Sequence, residues 1–393
     1  MDLLVAGLMA LSALAWPLAP IARPLCDHLQ RAAEASSPPP GRMLTLDDGR
    51  RSHVYGRGLE HDGPAVLIVP GAGSCVADQQ VVQPLLAKRY RVYAWDRPGI
   101  GWSDPHPAGF SQALVAADLR AVLDRLDEPE VILAGHSIGG QTLLRAGAEP
   151  PVAGWVLIDP TPWTPESAAA FEDALGPVQA QIPHLERLLD RGFGRVLAPF
   201  AAPSSFPPDR RAEADLDVVH AARRVAGAAR WRAQMAEVLS LSADCAEVAG
   251  WPTPRLPTAV LASWPTRWGP QAERELARLP PASRAIHHAD RVARSRWLEG
   301  FDAVQWLDCS HFVQADRPEA VVAAVDHVAA RLRGEPSDWP TVQERKDQIM
   351  GVPLPVNRTM QTGGGPPPAM EITADPAVLA AKARLEADLD ELG

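Results

Sequence analysis

Gly135-His136-Ser137-Ile138-Gly139 sets a serine between two glycines. It directly follows the apolar run Val131-Ile132-Leu133-Ala134 and, after Gly140, leads into a helix-forming stretch, Gln141 to Gly147. A serine at the apex of a strand-to-helix turn presents its hydroxyl as a nucleophile, and the pattern fits the nucleophile elbow G-x-S-x-G. The glycines answer a steric demand, because a Cβ two residues before or after the apex would strike neighbouring backbone. The N–H groups opening the following helix lie beside that hydroxyl and can hold developing negative charge. The chemistry implied is acyl transfer to Ser137. Without companions, the same pentapeptide is an ordinary strand-to-helix turn.

Companions are present. Ala65-Val66-Leu67-Ile68-Val69 has the composition of a strand buried on both faces, and it ends in Pro70-Gly71-Ala72-Gly73. A glycine-rich turn at a strand end can aim backbone N–H groups at a ligand. Ala72 and Ile138 are thus the expected pair of oxyanion donors. Arg91 to Trp95 forms another strand, followed by the turn Asp96-Arg97-Pro98-Gly99-Ile100-Gly101-Trp102-Ser103-Asp104. Asp96 and Arg97 are expected to tie this loop together, and Trp102 to line a pocket or cover core. Far downstream, Asp308-Cys309-Ser310-His311-Phe312-Val313 follows the strand-like run Ala303 to Leu307 and precedes a helix, Pro318 to Arg333. A histidine on a loop at a strand end can reach a serine at a neighbouring strand end, so His311 is the candidate base.

In this order the motifs resemble the α/β-hydrolase superfamily, over about residues 39–333. Pro70 stands where the family's usual His-Gly turn has its histidine, a departure that leaves a backbone oxyanion role untouched. The resemblance implies a Ser-acid-His triad with Ser137 as nucleophile and His311 as base. It also implies that aspartate-nucleophile chemistries, as in dehalogenase and epoxide-hydrolase members, are disfavoured. The acid usually follows the strand after the inserted cap. Here that strand, Thr258 to Ala262, runs into Ser263-Trp264-Pro265-Thr266-Arg267-Trp268, with no Asp or Glu before Glu273. A minority of the superfamily carries the acid one strand earlier, which corresponds to Asp159 in Val156-Leu157-Ile158-Asp159-Pro160. Asp159 is therefore the expected orienting carboxylate, and Asp290 the reserve. An Asp before Pro-Thr-Pro is also ordinary turn chemistry.

The elements needed to position these groups alternate along the chain. Strands are expected near 42–47, 51–56, 65–70, 91–95, 130–135, 153–159, 257–262 and 303–308. Helices are expected near 76–88, 110–127, 138–148, 271–279 and 318–334. That alternation predicts an α/β fold, a doubly wound, mostly parallel eight-stranded sheet. Residues 39–160 and 256–335 would form the core and 161–255 a helical cap that shapes the pocket and excludes water. Trp163 and Trp264 join Trp102 as expected pocket residues.

Both ends differ from the middle. Leu3 to Ala22 is nearly all apolar, about the length of a membrane helix, and Ser36-Ser37-Pro38-Pro39-Pro40-Gly41 follows as a tether. The expectation is a membrane-anchored protein through residues 3–22, with residues 1–25 as the hydrophobic segment. The alternatives are a secretory signal and an amphipathic or buried helix lying on the domain, which would make the protein secreted or cytoplasmic. Residues 338–393 look appended and largely disordered, with a short helix over 376–392. The net charge of −10, from 38 Lys and Arg against 48 Asp and Glu, argues against nucleic-acid binding. Cys26, Cys75, Cys245 and Cys309 show neither metal spacing nor a disulfide framework. No metal and no cofactor are expected.

These readings converge on a serine hydrolase that cleaves a carboxylic ester or related acyl bond of a small apolar substrate through Ser137, His311 and Asp159. The alternatives are a degenerate, non-catalytic ligand-binding protein with the same fold, and an acyltransferase.

Overall fold

The apolar runs marked as strands assemble into one sheet. The computed structural model describes residues 19–190, 214–263, 274, 276–337 and 339. The strands are β1 (Arg42–Thr45), β2 (Arg51–Arg57), β3 (Ala65–Val69), β4 (Val92–Trp95), β5 (Val131–His136), β6 (Val152–Ile158), β7 (Thr258–Ser263) and β8 (Val304–Leu307). They lie in the order β1-β2-β4-β3-β5-β6-β7-β8. The β1–β2 and β2–β4 pairs are antiparallel, and every later pairing is parallel. The expected mostly parallel eight-stranded sheet is therefore present.

Burial explains why the central strands contain almost nothing but Val, Leu, Ile and Ala. Every residue of β3 is buried, with Ala65, Leu67 and Val69 in one core cluster and Val66 and Ile68 in another on the opposite face. Alternate residues of a strand point to opposite faces, so a strand covered on both sides must be apolar throughout. Fully burying such a side chain is worth about 1.5–3 kcal/mol.

The described helices, in chain order, are α1 (Ala19–Ala35), α2 (Val82–Leu86), α3 (Gln112–Leu126), α4 (Ile138–Ala146), α5 (Pro165–Gln179), α6 (Ile182–Asp190), α7 (Leu216–Val225), α8 (Ala228–Leu239), α9 (Leu241–Val248), α10 (Pro281–Glu299), α11 (Val313–Asp316) and α12 (Pro318–Leu332). Val115, Leu119, Val122 and Leu123 of α3 join the first core cluster, while Val321, Ala324, Val325 and Val328 of α12 join the second. Helices thus cover both faces of the sheet. The run α5 to α9 occupies the chain between β6 and β7.

Two helix expectations need amendment. The helix expected over 76–88 divides into a 3-10 turn, Val76–Gln79, and the short α2. Of the helix expected over 271–279, residues 274 and 276–278 are helical and 279 is a bend, while 271–273 and 275 lie outside the described residues. The long α10 that follows was not anticipated, although it opens on Pro280-Pro281 with proline at its first position, a recognised start signal.

The structure corrects the expectation of a membrane-anchored chain. Among the described residues no helix is long and apolar enough to cross a membrane. The apolar run gives way within α1 to Arg23, Asp27, His28, Arg31 and Glu34. That helix also docks on protein: the Gln30 side-chain amide donates to the Val225 carbonyl at 2.8 Å, and Ala33 is buried. Residues 1–18, which hold most of the apolar segment, and nearly all of the expected C-terminal tail with its 376–392 helix lie outside the described residues.

Candidate active site

The parallel register brings the candidate residues together. In β5 and β6, His136 pairs with Ile158, so the residues that follow, Ser137 and Asp159, leave adjacent strand ends. In the β6–β7 and β7–β8 pairs, Ile158 aligns with Leu261 and Ser263 with Leu307. The loop after β8 that carries His311 therefore emerges on the same edge.

Ser137 caps the N-terminus of α4 with φ 53° and ψ −122°. Serine ordinarily caps a helix by accepting an N–H bond on its hydroxyl. Here it makes no such bond, which leaves the hydroxyl for other work. Two glycines permit the geometry. A Cβ at Gly139 would strike the Val69 carbonyl oxygen. A Cβ at Gly71 would lie 2.6 Å from His136 Nδ1 and 3.0 Å from Ser137 Cβ. The glycine-rich turn after β3 thus packs directly against the serine. Ile138 opens α4, where helix geometry leaves its N–H without an intrahelical acceptor.

Asp159 is buried at the end of β6, with φ 37°. Its Oδ1 accepts from the Ser263 N–H at 3.2 Å, and its Oδ2 lies 2.5 Å from His311 Nδ1. The Ser263 hydroxyl donates to the Cys309 carbonyl at 2.7 Å, which ties the histidine loop to β7. The His311 side chain is 32% exposed. Its ring packs on that of His136, with centroids 4.7 Å apart, and His136 Nε2 lies 2.9 Å from the His311 carbonyl oxygen. Since a carbonyl only accepts, His136 donates from Nε2. Burial, then the neighbouring His311, push its pKa down to about 3, so His136 is neutral at ordinary pH.

Ser137 and His311 do not hydrogen-bond in this resting arrangement. The Ser137 hydroxyl instead contacts Thr161 Oγ1 at 3.4 Å, and the Thr161 N–H donates to the Ser137 carbonyl at 3.1 Å. Catalytic hydrogen bonds are often loose before substrate binds. Thr161 escaped the sequence reading. Its place two residues beyond Asp159, across Pro160, is the signal that would have found it.

The remaining candidates lie elsewhere or lie deeper. Asp290 sits on α10 and accepts from the Ser167 hydroxyl of α5, while the carboxylate on His311 is that of Asp159. Trp163 is buried in the core, edge-on to Trp297 at 4.6 Å and to Phe301 at 6.3 Å. Trp102 packs on His53 at 5.0 Å and donates its indole N–H to the Ser37 carbonyl at 3.0 Å. Trp264 lies outside the described residues. Ala72 is partly exposed beside the elbow.

The chain belongs to the alpha/beta hydrolase family, whose model matches residues 66–324. Rv2715, an uncharacterized protein of Mycobacterium tuberculosis, is 38% identical over 93 residues, 23% of this chain and 27% of that protein. A 2-hydroxy-6-oxononadienedioate/2-hydroxy-6-oxononatrienedioate hydrolase of Cupriavidus pinatubonensis is 38% identical over 121 residues, 29% of this chain and 41% of that enzyme. The chain thus matches well under half the length of either relative. The solved structure of the epoxide hydrolase CorEH superposes with a TM-score of 0.51 at 18% identity, over 74% of this chain and 99% of that one. That likeness is one of fold.

Proposed function

We propose that the chain is a serine hydrolase acting on a carboxylic ester or related acyl bond of a small, largely apolar substrate. The reading is carried by the 2.5 Å contact between His311 Nδ1 and Asp159 Oδ2, on a loop packed against the elbow that bears Ser137. Asp159 fixes the imidazole tautomer, so that Nε2 is the nitrogen left to exchange a proton. The Ser137 hydroxyl turns from Thr161 toward that nitrogen, gives up its proton, and Oγ bonds to the acyl carbon. The carbonyl oxygen takes up the negative charge, held by the N–H groups of Ala72 and Ile138. When the tetrahedral adduct collapses, the leaving alcohol takes the proton from His311. Water then attacks the acyl-enzyme, passing a proton to His311, which returns it to Ser137 as the acid departs. Serine at the apex, rather than aspartate, favours this acyl route over epoxide opening.

A panel of p-nitrophenyl esters of graded acyl length tests the reading. Turnover by the wild type that disappears in Ser137→Ala is the expected result. Catalysed turnover that survives Ser137→Ala would remove Ser137 as the nucleophile, and no turnover above the uncatalysed rate by either protein would favour a non-catalytic ligand-binding protein.

A further inference from the structure

A charge pair outside the Ser137–His311–Asp159 group converges on the same glycine-rich turn. Arg97, from the loop after β4, and Glu237, from α8 in the chain between β6 and β7, are fully buried. Arg97 Nε donates to Glu237 Oε1 at 2.8 Å and Nη2 to Oε2 at 2.8 Å. The same guanidinium donates to the Pro70 carbonyl, and through Nη2 to the Gly71 carbonyl at 2.5 Å. Glu237 Oε2 also accepts from the Gly73 N–H at 2.6 Å. The Ser74 N–H closes the turn onto the Gly71 carbonyl at 3.0 Å. Carbonyls 70 and 71 and amide 73 are thus all held by one ion pair. The Ala72 N–H, between them, makes no hydrogen bond to a described residue.

Stability does not explain this arrangement. Burying two full charges costs desolvation that their attraction seldom recovers, and well-packed apolar replacements are often as stable. Preorganisation does explain it. A donor that stabilises a developing oxyanion must already point at it, because reorganising the donor during reaction would consume the gain.

We propose that Arg97 and Glu237 are positioning residues that preset the turn 70–73, so that the Ala72 N–H faces the oxyanion. The proposal rests on the serine-hydrolase reading above. Because Glu237 rides on α8, the helical segment between β6 and β7 supplies part of the oxyanion geometry without touching substrate.

The test uses Glu237→Gln, which keeps an acceptor for Gly73 but loses the paired charge, and the double variant Arg97→Met/Glu237→Met. Both are assayed for ester turnover and for affinity toward a trifluoromethyl ketone, whose adduct with Ser137 carries an oxyanion. The expected result is a fall in kcat of about 10²-fold, comparable to losing one oxyanion donor, with KM within about threefold. Inhibitor affinity falls in step, while the double variant melts near the wild-type temperature. A folded double variant with wild-type kcat and inhibitor affinity would overturn the proposal while leaving the serine mechanism standing. A wild type that never acylates at Ser137 removes the serine mechanism and this inference together. Should both variants fail to fold, hydrogen exchange in the wild type decides: the Gly73 amide exchanges as slowly as the central strands, and exchange at exposed-loop rates contradicts the proposal.

Discussion

Two histidine–aspartate pairs in this molecule look alike at the contact and differ in everything around it. His53 Nδ1 lies 2.7 Å from Asp96 Oδ2, and His311 Nδ1 lies 2.5 Å from Asp159 Oδ2. The first pair is fully buried, and its second ring nitrogen is spoken for by the Pro40 carbonyl. Asp96 also accepts from the N–H groups of Val76 at 2.8 Å and Trp102 at 3.1 Å, so it knits a loop together. The second pair leaves His311 partly exposed, with Nε2 free of any protein partner among the described residues. A carboxylate on Nδ1 orients an imidazole in either case. Only a free opposite nitrogen lets the ring carry a proton between reactants.

The contrast breaks first at the carboxylates. Asp159→Asn removes the carboxylate proposed to fix the His311 tautomer and should lower kcat by about 10³- to 10⁴-fold with the fold intact by circular dichroism. A loss under tenfold would give the orienting role to another residue. His53→Ala strands the buried Asp96 carboxylate and should lower unfolding free energy by about 3–5 kcal/mol in urea titration. The rate per folded molecule stays within about threefold. A His53 variant as inactive as Asp159→Asn and as stable as wild type would erase the distinction between the pairs.

Smaller effects sharpen it. His136, pushed to about 3 from an ordinary 6.5, takes its proton more readily in the unfolded chain than in the folded one. Its contribution to stability is therefore complete above about pH 6.5 and is lost as pH falls toward 3. His136→Asn should flatten the acid limb of a plot of melting temperature against pH, and an unchanged slope would refute the assignment. The smallest effect belongs to Thr161→Val, which deletes a long hydroxyl contact to Ser137. Its kcat should change less than about fivefold, in keeping with the modest worth of one neutral hydrogen bond.

The same contrast shows how far the sequence alone reaches. The elbow was legible because its demands are local: a Cβ at Gly135 would lie 2.9 Å from the Gly139 carbonyl carbon and from the Gly140 nitrogen, within the same turn. Strand limits were close because two-sided burial leaves a continuous apolar run, as in β3 and β5. The contact of Asp159 with His311 was reachable through the strand-end position of Asp159 and the lack of an acid directly after β7. Glu237 was not, since it meets Gly73 and Arg97 across more than 130 residues of chain, and no spacing announces such a contact. The His53–Asp96 pair hid for the same reason. Trp163 illustrates the reverse failure, because an aromatic in the right segment carries no mark of whether it faces a pocket or, as here, Trp297 and Phe301. The apolar N-terminal run misled by its composition, which ends where the charged face of α1 begins.

The most direct test of the account is labelling with a fluorophosphonate, read by intact mass and peptide mapping. The wild type should gain one phosphonyl group on Ser137, Ser137→Ala none, and Asp159→Asn the same adduct at a greatly reduced rate. Well-folded wild-type protein that stays unlabelled, or carries the adduct on another residue, would contradict the assignment of Ser137 as the nucleophile.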